Sequence, residues 1–499
     1  MKTIFAKIFA SYVNSKNQKW IQNPIKYQRK TFKKLIRQGA QTRFGKDHDF
    51  TKIKNHADFV KKIPIRDYEG LKPYVDKIIA GEQHVLWPGK PLYFAKTSGT
   101  TSGTKYIPIT KASMPTHIKA ARDALLNYIH KKKRVDFVKG KQMFLQGSPV
   151  LSETNGIPTG RLSGIVAHYV PSYLQSNRMP SWETNCIDDW ETKVDTIIKE
   201  TWEENMSLIA GIPSWVQMYF EKIVEKGKKP VKDHFKNFSL FVYGGVNFEP
   251  YRDIFKKLIG NKVDTIELFP ASEGFFAYQD EFDDSGLLLL VNNGIFYEFV
   301  AADSFFDENP TRIPLEEVQC GVNYVMLIST TAGLWCYNLG DTVMFTSLKP
   351  YRIIVTGRIK HFISAFGEHV IGSEVEKALK AGLENSGETI PVREFTVAPQ
   401  IKPQEGLPYH EWFIEFEKLP ENTKTLSKAI DKSLQEQNIY YRDLIEGKIL
   451  RSLKITPIAK EGFKSYMKSI GKLGGQNKVP RLSNDRKIAD ELCYFAIRG

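Results

Sequence analysis

Phe94-Ala-Lys-Thr-Ser-Gly-Thr-Thr-Ser-Gly-Thr-Lys-Tyr-Ile-Pro-Ile-Thr110 is the stretch from which the rest of the chain can be read. A strand-like lead, Leu92 to Phe94, runs into eight consecutive residues, Thr97 to Thr104, that are all Thr, Ser or Gly. The chain leaves through Lys105 into a second β-rich run, Tyr106 to Ile109. Glycine lets the backbone turn its N–H groups inward and approach a ligand closely. Hydroxyls beside those N–H groups add donors without bulk. The result is a cradle for an anion, and a triphosphate is the candidate ligand. Gly99, Gly103 and Lys105 do not fit the G-x-x-x-x-G-K-[ST] spacing, which argues against a P-loop kinase or GTPase. A flexible Ser/Gly/Thr connector would share the composition but not the flanking strands.

The chain of 499 residues predicts two or three domains. Its hydrophobic share of 41% and charged share of 25% are those of a globular protein with a sizeable core. Cys186, Cys320, Cys336 and Cys493 lie far apart with no C-x-x-C, so neither a disulfide framework nor a structural zinc site is expected, and a cytoplasmic location fits. Lys7 interrupts the apolar run of residues 1–13 and no clean cleavage site follows, so this segment reads as an amphipathic helix, not a signal peptide. No run approaches the ~18 apolar residues needed to span a bilayer, so no stable membrane insertion is expected.

The net charge of +15 is uneven: residues 1–46 hold twelve Lys/Arg and no Asp/Glu, and residues 448–499 hold twelve Lys/Arg against four acids. The middle of the chain is therefore slightly acidic. A basic excess raises nucleic-acid binding as a reading. No zinc finger, RNA-recognition signature or helix-turn-helix pattern accompanies it, and charge at the two ends fits solvated helix faces. No nucleic-acid partner is expected, and the protein is expected to be a monomer.

Apolar residues at helical spacing predict helices over 26–40, 63–80, 111–131, 189–205 and 213–226, and Lys141 to Leu145 reads as a strand. From residue 239 strands alternate with helices: Leu240 to Tyr243 ends in Gly244-Gly245, a helix follows from Pro250 to Ile259, and Val263 to Phe269 ends in Pro270-Ala-Ser-Glu-Gly274. That alternation predicts a mostly parallel sheet, with ligands at the strand C-termini. Short strands at 287–291, 295–300, 323–329 and 334–338 suggest an antiparallel barrel or sheet. Beyond Gly357 the pattern is a small α+β domain: helix 373–383, strands 393–399 and 411–417, helix 423–437, strand 452–457 and helix 461–470. It closes on a polar loop, Gly474 to Arg481.

Four further residues suit a nucleotide. Glu273, just past a strand, is a hard oxygen ligand for Mg2+, although a turn carboxylate would look the same. Asp341, in Tyr337-Asn-Leu-Gly-Asp341, ends a strand at a glycine turn and could accept from ribose hydroxyls; Gly-Asp is also common in hairpins. Arg358 could hold the ribose or a phosphate, or be a surface Arg at a domain joint, and Lys478 could bring charge to a reacting carboxylate. In order and context these pieces are more specific than singly. The chain resembles the adenylate-forming superfamily, and within it the Gretchen Hagen (auxin-responsive) family of acyl-acid amido synthetases, in a bacterial form. The resemblance is carried by Thr42 to Phe50, Ile63-Pro-Ile-Arg-Asp-Tyr68, the Lys96 to Lys105 phosphate loop, Phe269-Pro-Ala-Ser-Glu273, Tyr337 to Asp341 and Gln476-Asn-Lys-Val-Pro-Arg481. Phe269-Pro270 stands where the family has Tyr-Ala, and Asn338 where it has Arg; residues 357–376 look more like those of acyl-CoA ligases.

The resemblance implies an α/β protein with a large N-terminal domain of mixed, mostly parallel sheets and a β-barrel-like portion, plus a small mobile α+β domain. It implies a domain over 1–350 that binds ATP and an organic acid, a hinge over 351–360 and a lid over 361–499. Thr97, Ser98, Gly99, Thr100, Thr101, Ser102, Gly103, Thr104 and Lys105 would hold the phosphates, with Thr97 counted catalytic. Glu273 would hold Mg2+; Gly244, Gly245, Val246, Phe269, Ala271 and Ser272 would frame adenine. Asp341 and Arg358 would fix the ribose, and Lys478 would reach the carboxylate and α-phosphate. The implied reaction activates a carboxylic acid as acyl-AMP and passes it to an amino acid, or to CoA in an acyl-CoA ligase. A non-catalytic nucleic-acid-binding protein is the alternative outside enzymes. Arg161, His168, Tyr169 and Trp215 are candidate walls of the acid site, with core packing the better reading for Tyr169 and Trp215.

Overall fold

The computed structural model describes residues 2–98, 104–170, 175–245, 248, 251–282, 286–359, 362–363, 365–366, 370–385, 390–446, 449–472, 479–483 and 485–497. The N-terminal part is helical: α1 (Lys2–Ile21), α2 (Pro24–Gly39), α3 (Arg43–Asp47), α4 (His56–Lys62), α5 (Tyr68–Ile79) and, after a hairpin, α6 (Met114–Lys132). In α2 the 3.6-residue period buries Phe32, Leu35 and Ile36. The helix expected from Ile63 begins instead at Tyr68. Pro64 disfavours a helical residue before it, and the Asp67 carboxylate caps the new start by accepting from Gly70 N at 3.2 Å. Gly81, at φ +97°, stops the helix in a conformation that glycine adopts at no steric cost.

The chain forms two compact units, Met1–Val246 with Leu258–Val355, and Asn247–Lys257 with Thr356–Gly499. The strands of the first are β1 (Tyr93–Ser98), β2 (Thr104–Ile109), β3 (Lys141–Leu145), β4 (Ser152–Thr154), β5 (Ile157–Gly160), β6 (Arg178–Met179), β7 (Met206–Gly211) and β8 (Leu240–Gly244). They continue with β9 (Asp264–Ala271), β10 (Gly274–Tyr278), β11 (Leu287–Leu289), β12 (Ile295–Ala301), β13 (Ile313–Pro314), β14 (Asn323–Thr330), β15 (Tyr337–Leu348) and β16 (Tyr351–Arg358), whose residues from Thr356 belong to the second unit. One sheet has the order β2-β1-β5-β4; the other has twelve strands, β13-β12-β14-β15-β16-β11-β10-β9-β8-β7-β3-β6.

Within the twelve-stranded sheet, parallel pairing of the described strands is confined to the β6-β3-β7-β8-β9 end, where helices link the strands. From β9 onward the described pairs are antiparallel. The large sheet is thus mixed, with less parallel character than the sequence suggests. The reason is local: β9 does not pass into a helix but turns straight back into β10. The strands read as barrel or sheet join the same large sheet, and the expected short strand at 334–338 is the start of the twelve-residue β15.

The second unit carries β17 (Phe362–Ile363) paired with β18 (Val370–Ile371), and a sheet of β19 (Val392–Gln400), β20 (Tyr409–Phe416) and β21 (Lys454–Ile458). Helices Gly372–Asn385 and Thr423–Gln437 pack together over Trp412, Ile414 and Leu453. Their approach is close at Gly382, where a Cβ would lie 2.4 Å from Ile430 Cγ1.

Candidate functional site

The Ser/Thr/Gly run joins β1 to β2, which pair as antiparallel strands. Thr97 pairs with Lys105 and Ser98 with Thr104. Gly99, Thr100, Thr101, Ser102 and Gly103 lie outside the described residues. On its other edge β1 pairs in parallel with β5, so β2 is the edge strand of its sheet. An edge strand leaves outward N–H groups to satisfy. Tyr106 N donates one of them to the Tyr68 hydroxyl at 2.9 Å. The Lys105 ammonium lies 5.7 Å from the centre of the Tyr68 ring, within cation–π range. Burial raises the Tyr68 pKa, keeping the phenol neutral.

The adenine candidates gather at one edge of the large sheet. β8 and β9 run parallel with Gly244 opposite Leu268, so both strands end on the same side. A Cβ on Gly244 would sit 2.4 Å from Leu268 O, so only glycine allows this pairing. Gly245, at φ +83°, turns the chain out of the sheet; Val246 lies outside the described residues. One strand over, Ala271 pairs with Gly274, making Ser272 and Glu273 a two-residue hairpin loop. Ser272 is buried, Glu273 and Ala271 are half-buried, and Phe269 is buried edge-on to Phe276 at 5.1 Å.

Asp341 is not in a hairpin turn. β14 and β15 pair Leu327 with Asn338 and then Val325 with Thr342, so Leu339, Gly340 and Asp341 together face Met326 alone. This is a bulge inside one long strand, made possible by Gly340 at φ +83°. The Asn338 side chain holds it, Oδ1 accepting from Gly340 N at 2.7 Å. The residue standing where the family motif has Arg therefore shapes the backbone beside Asp341. Arg358 is exposed and ends β16. Lys478 lies outside the described residues.

Hydrogen bonds within the first unit connect these three places. Thr110 Oγ1, past the end of β2, donates to Thr331 O at 2.7 Å, and Thr331 N donates to Gly294 O at 3.1 Å. The neighbouring Asn293 Nδ2 donates to Phe275 O at 3.0 Å, two residues past Glu273. On the other side Arg66 N donates to Cys336 O at 3.1 Å and Arg66 O accepts from Asn338 N at 2.7 Å. The segment Arg66 to Tyr68 thus reaches both the Asp341 bulge and the Ser/Thr/Gly hairpin. The Arg66 side chain donates to His48 Nε2 at 2.7 Å. Since Arg has no lone pair to offer, His48 carries its proton on Nδ1 and donates to Phe44 O at 2.8 Å. Burial, with Arg66 beside it, lowers the His48 pKa. From sequence this segment reads only as a helix entry; its Pro64 and its cap Asp67 are the signals that it begins extended.

A second group of cations lies beyond the C-terminal end of β3. Lys193 is buried and donates to Asn185 O at 2.7 Å and Gln146 O at 3.2 Å; burial, aided by Arg161, pulls its pKa down to about 8. Burial also lowers Arg161, with Asp188 opposing. Gln146 Nε2 and Asn185 Oδ1 are buried without partners. Of the other candidate wall residues, Trp215 packs on Trp190 at 4.5 Å, His168 Nε2 bonds Pro149 O at 3.0 Å, and Tyr169, 37% exposed, bonds the Tyr93 hydroxyl at 3.2 Å. Tyr169 is therefore not a core residue.

Among the described residues no group of three or more His, Cys, Asp or Glu could hold a metal ion. Magnesium needs only one or two carboxylates when phosphates supply the other oxygens. The half-buried Glu273 fits that requirement for a metal arriving with a nucleotide.

Three family models match the chain: the GH3 family N-terminal domain over residues 15–188, the central domain over 288–358 and the C-terminal domain over 373–487. A solved structure of the GH3.15 acyl acid amido synthetase superposes with TM-score 0.81 at 16% identity, covering 98% of this chain and 96% of that one. The 2-hydroxyisobutyryl-CoA ligase in its postadenylation state gives TM-score 0.54 at 12% identity, covering 95% of this chain and 90% of that one. In sequence the chain is 24% identical over 138 residues to the jasmonoyl–L-amino acid synthetase JAR4 of Nicotiana attenuata. That match spans 27% of this chain and only 23% of the relative. No described helix is long and apolar enough to cross a membrane.

Proposed function

The chain belongs to the GH3 family, and on that premise we propose that it is an ATP-dependent ligase that activates a carboxylic acid as acyl-AMP and transfers the acyl group to an amino acid. The observation that carries this reading is the single hydrogen-bonded frame joining the Ser/Thr/Gly hairpin, the Ser272-Glu273 loop and the Asp341 bulge. A nucleotide needs those three anchors at once, for phosphates, base and ribose.

Residues 97–105 hold the β- and γ-phosphates by hydroxyl and backbone donors. Gly244, Gly245, Val246, Phe269, Ala271 and Ser272 frame adenine, while Asp341 and Arg358 fix the ribose. Glu273 holds Mg2+, which neutralises phosphate charge. The acid's carboxylate attacks the α-phosphorus and pyrophosphate leaves; Lys478 stabilises the charge that builds on the transferring group. A cytoplasmic location completes the reading, supported by the four free cysteines, which suit a reducing compartment.

The test is ATP–pyrophosphate exchange across a panel of carboxylic acids with and without Mg2+. Exchange with at least one acid is expected, with AMP appearing once an acceptor discharges the adenylate; release of ADP, or no exchange with any acid, overturns the proposal. A second reading, acyl-CoA ligase, is favoured by residues 357–376. Adding amino acids or CoA to the pre-formed adenylate separates the two, since only the true acceptor discharges it.

A further inference from the structure

Helix α1 has two faces with different surroundings. On one, Ala10, Val13, Asn14, Asn17 and Trp20 are buried. Asn14 Nδ2 donates to Asn127 Oδ1 at 3.3 Å and Asn17 Nδ2 to Asp123 Oδ2 at 3.2 Å, so this face is docked on α6. On the opposite face Ile4, Phe5, Ile8, Phe9 and Tyr12 are 64%, 69%, 63%, 45% and 54% exposed. Their spacing makes one contiguous stripe along three turns. Exposed apolar residues scattered singly need no explanation, but a contiguous stripe on a helix already anchored by its other side does.

The stripe sits in a segment of one charge sign. Lys7, Lys16 and Lys19 on α1 and Lys26, Lys30, Lys33 and Lys34 on α2 are all exposed, and no Asp or Glu occurs before Asp47. The Lys16 ammonium lies 4.4 Å above the Tyr12 ring and the Arg122 guanidinium 6.0 Å from the Phe9 ring, bringing cations to the edge of the apolar surface. A second copy of this chain would set this basic segment against itself. A nucleic acid would use the charge but not five apolar side chains. An anionic lipid surface takes both, apolar side chains entering the acyl boundary and lysines meeting the headgroups.

We propose that α1 docks the protein on an anionic membrane surface, lying in the plane of the interface with the Ile4–Tyr12 face inserted. The docked face stays on α6, so binding requires no unfolding. This proposal stands apart from the adenylation reading, because none of these residues is assigned to the nucleotide.

The test is co-sedimentation of the full chain with phosphatidylcholine vesicles with and without phosphatidylglycerol. Binding is expected only to the anionic vesicles, falling as salt rises. Ile4→Ser with Ile8→Ser should weaken it by about tenfold or more, while melting temperature and any ATP–pyrophosphate exchange in solution stay unchanged. The single variant Phe5→Ser should act in the same direction and guards against misfolding of the double one. No binding to anionic vesicles, or equal binding by the variants, overturns the proposal. So does a concentration-dependent dimer, or RNA binding, that the same substitutions abolish.

Discussion

His117, on the buried face of α6, has an Nδ1 without a partner, and burial pulls its pKa down to about 4 from an ordinary 6.5. The folded protein keeps this ring neutral while the unfolded chain takes up a proton below 6.5. Between those values the unfolded state binds more protons, so the His117 contribution is fully present above 6.5 and lost as pH falls toward 4. The loss by about pH 4.5 should be about 2–3 kcal/mol. Urea unfolding near neutrality and at about pH 4.5 should show His117→Leu losing about that much less stability than the wild type. Equal losses in both proteins would remove His117 from the acid sensitivity. Arg481 makes the opposite choice. Burial disfavours its charge, but Glu394, Tyr251 and Glu376 around it raise its pKa and keep it ionised.

Two short elements owe their place to residues far away in sequence. Arg481 pairs with Glu394, lies 3.3 Å from Glu376, and stands over the Phe395 ring at 4.7 Å. Val397 N donates to Arg481 O and Ser483 N to Val397 O, both at 2.9 Å. The chain after the polar loop is thereby fastened along β19. At the Ser/Thr/Gly hairpin Tyr68 does similar work on the edge strand β2. Tyr68→Phe keeps the ring but leaves Tyr106 N–H without its acceptor, a cost of roughly 1–3 kcal/mol if the group stays dry. The β2 edge should loosen, and on the proposed function this should raise the Michaelis constant for ATP by about three- to tenfold while that for the acid stays put. A lower melting temperature with unchanged ATP dependence would make Tyr68 a packing residue only.

At the scale of the molecule the proposed chemistry divides into adenylation and acyl transfer. On that proposal Lys478 would separate them, because its positive charge would matter while charge builds at phosphorus and not afterwards. Lys478→Ala should slow adenylate formation by roughly 10²–10³, as loss of one preorganised donor does. Capture of a pre-made acyl adenylate by the acceptor should suffer much less. Rapid-quench measurement of each half-reaction decides: equal losses in both, or none in either, would return Lys478 to an ordinary surface cation.

Periodicity and turn chemistry located most helices and strands here, since a 3.6-residue or 2-residue apolar repeat is a local property. Motif order also pointed to the GH3 family, because Gly-rich and Ser-Glu turns need particular residues wherever they occur. Tertiary structure decided what depends on distant partners. It made Ser272-Glu273 the loop of a hairpin and so changed the direction of half the large sheet. It turned Gly340-Asp341 from a turn into a bulge held by Asn338, and drew Arg66 and Tyr68 across to Tyr337 and Tyr106. Strand direction and bulge register are set by which backbone donors remain unpaired once the chain is compact, and no local pattern encodes that.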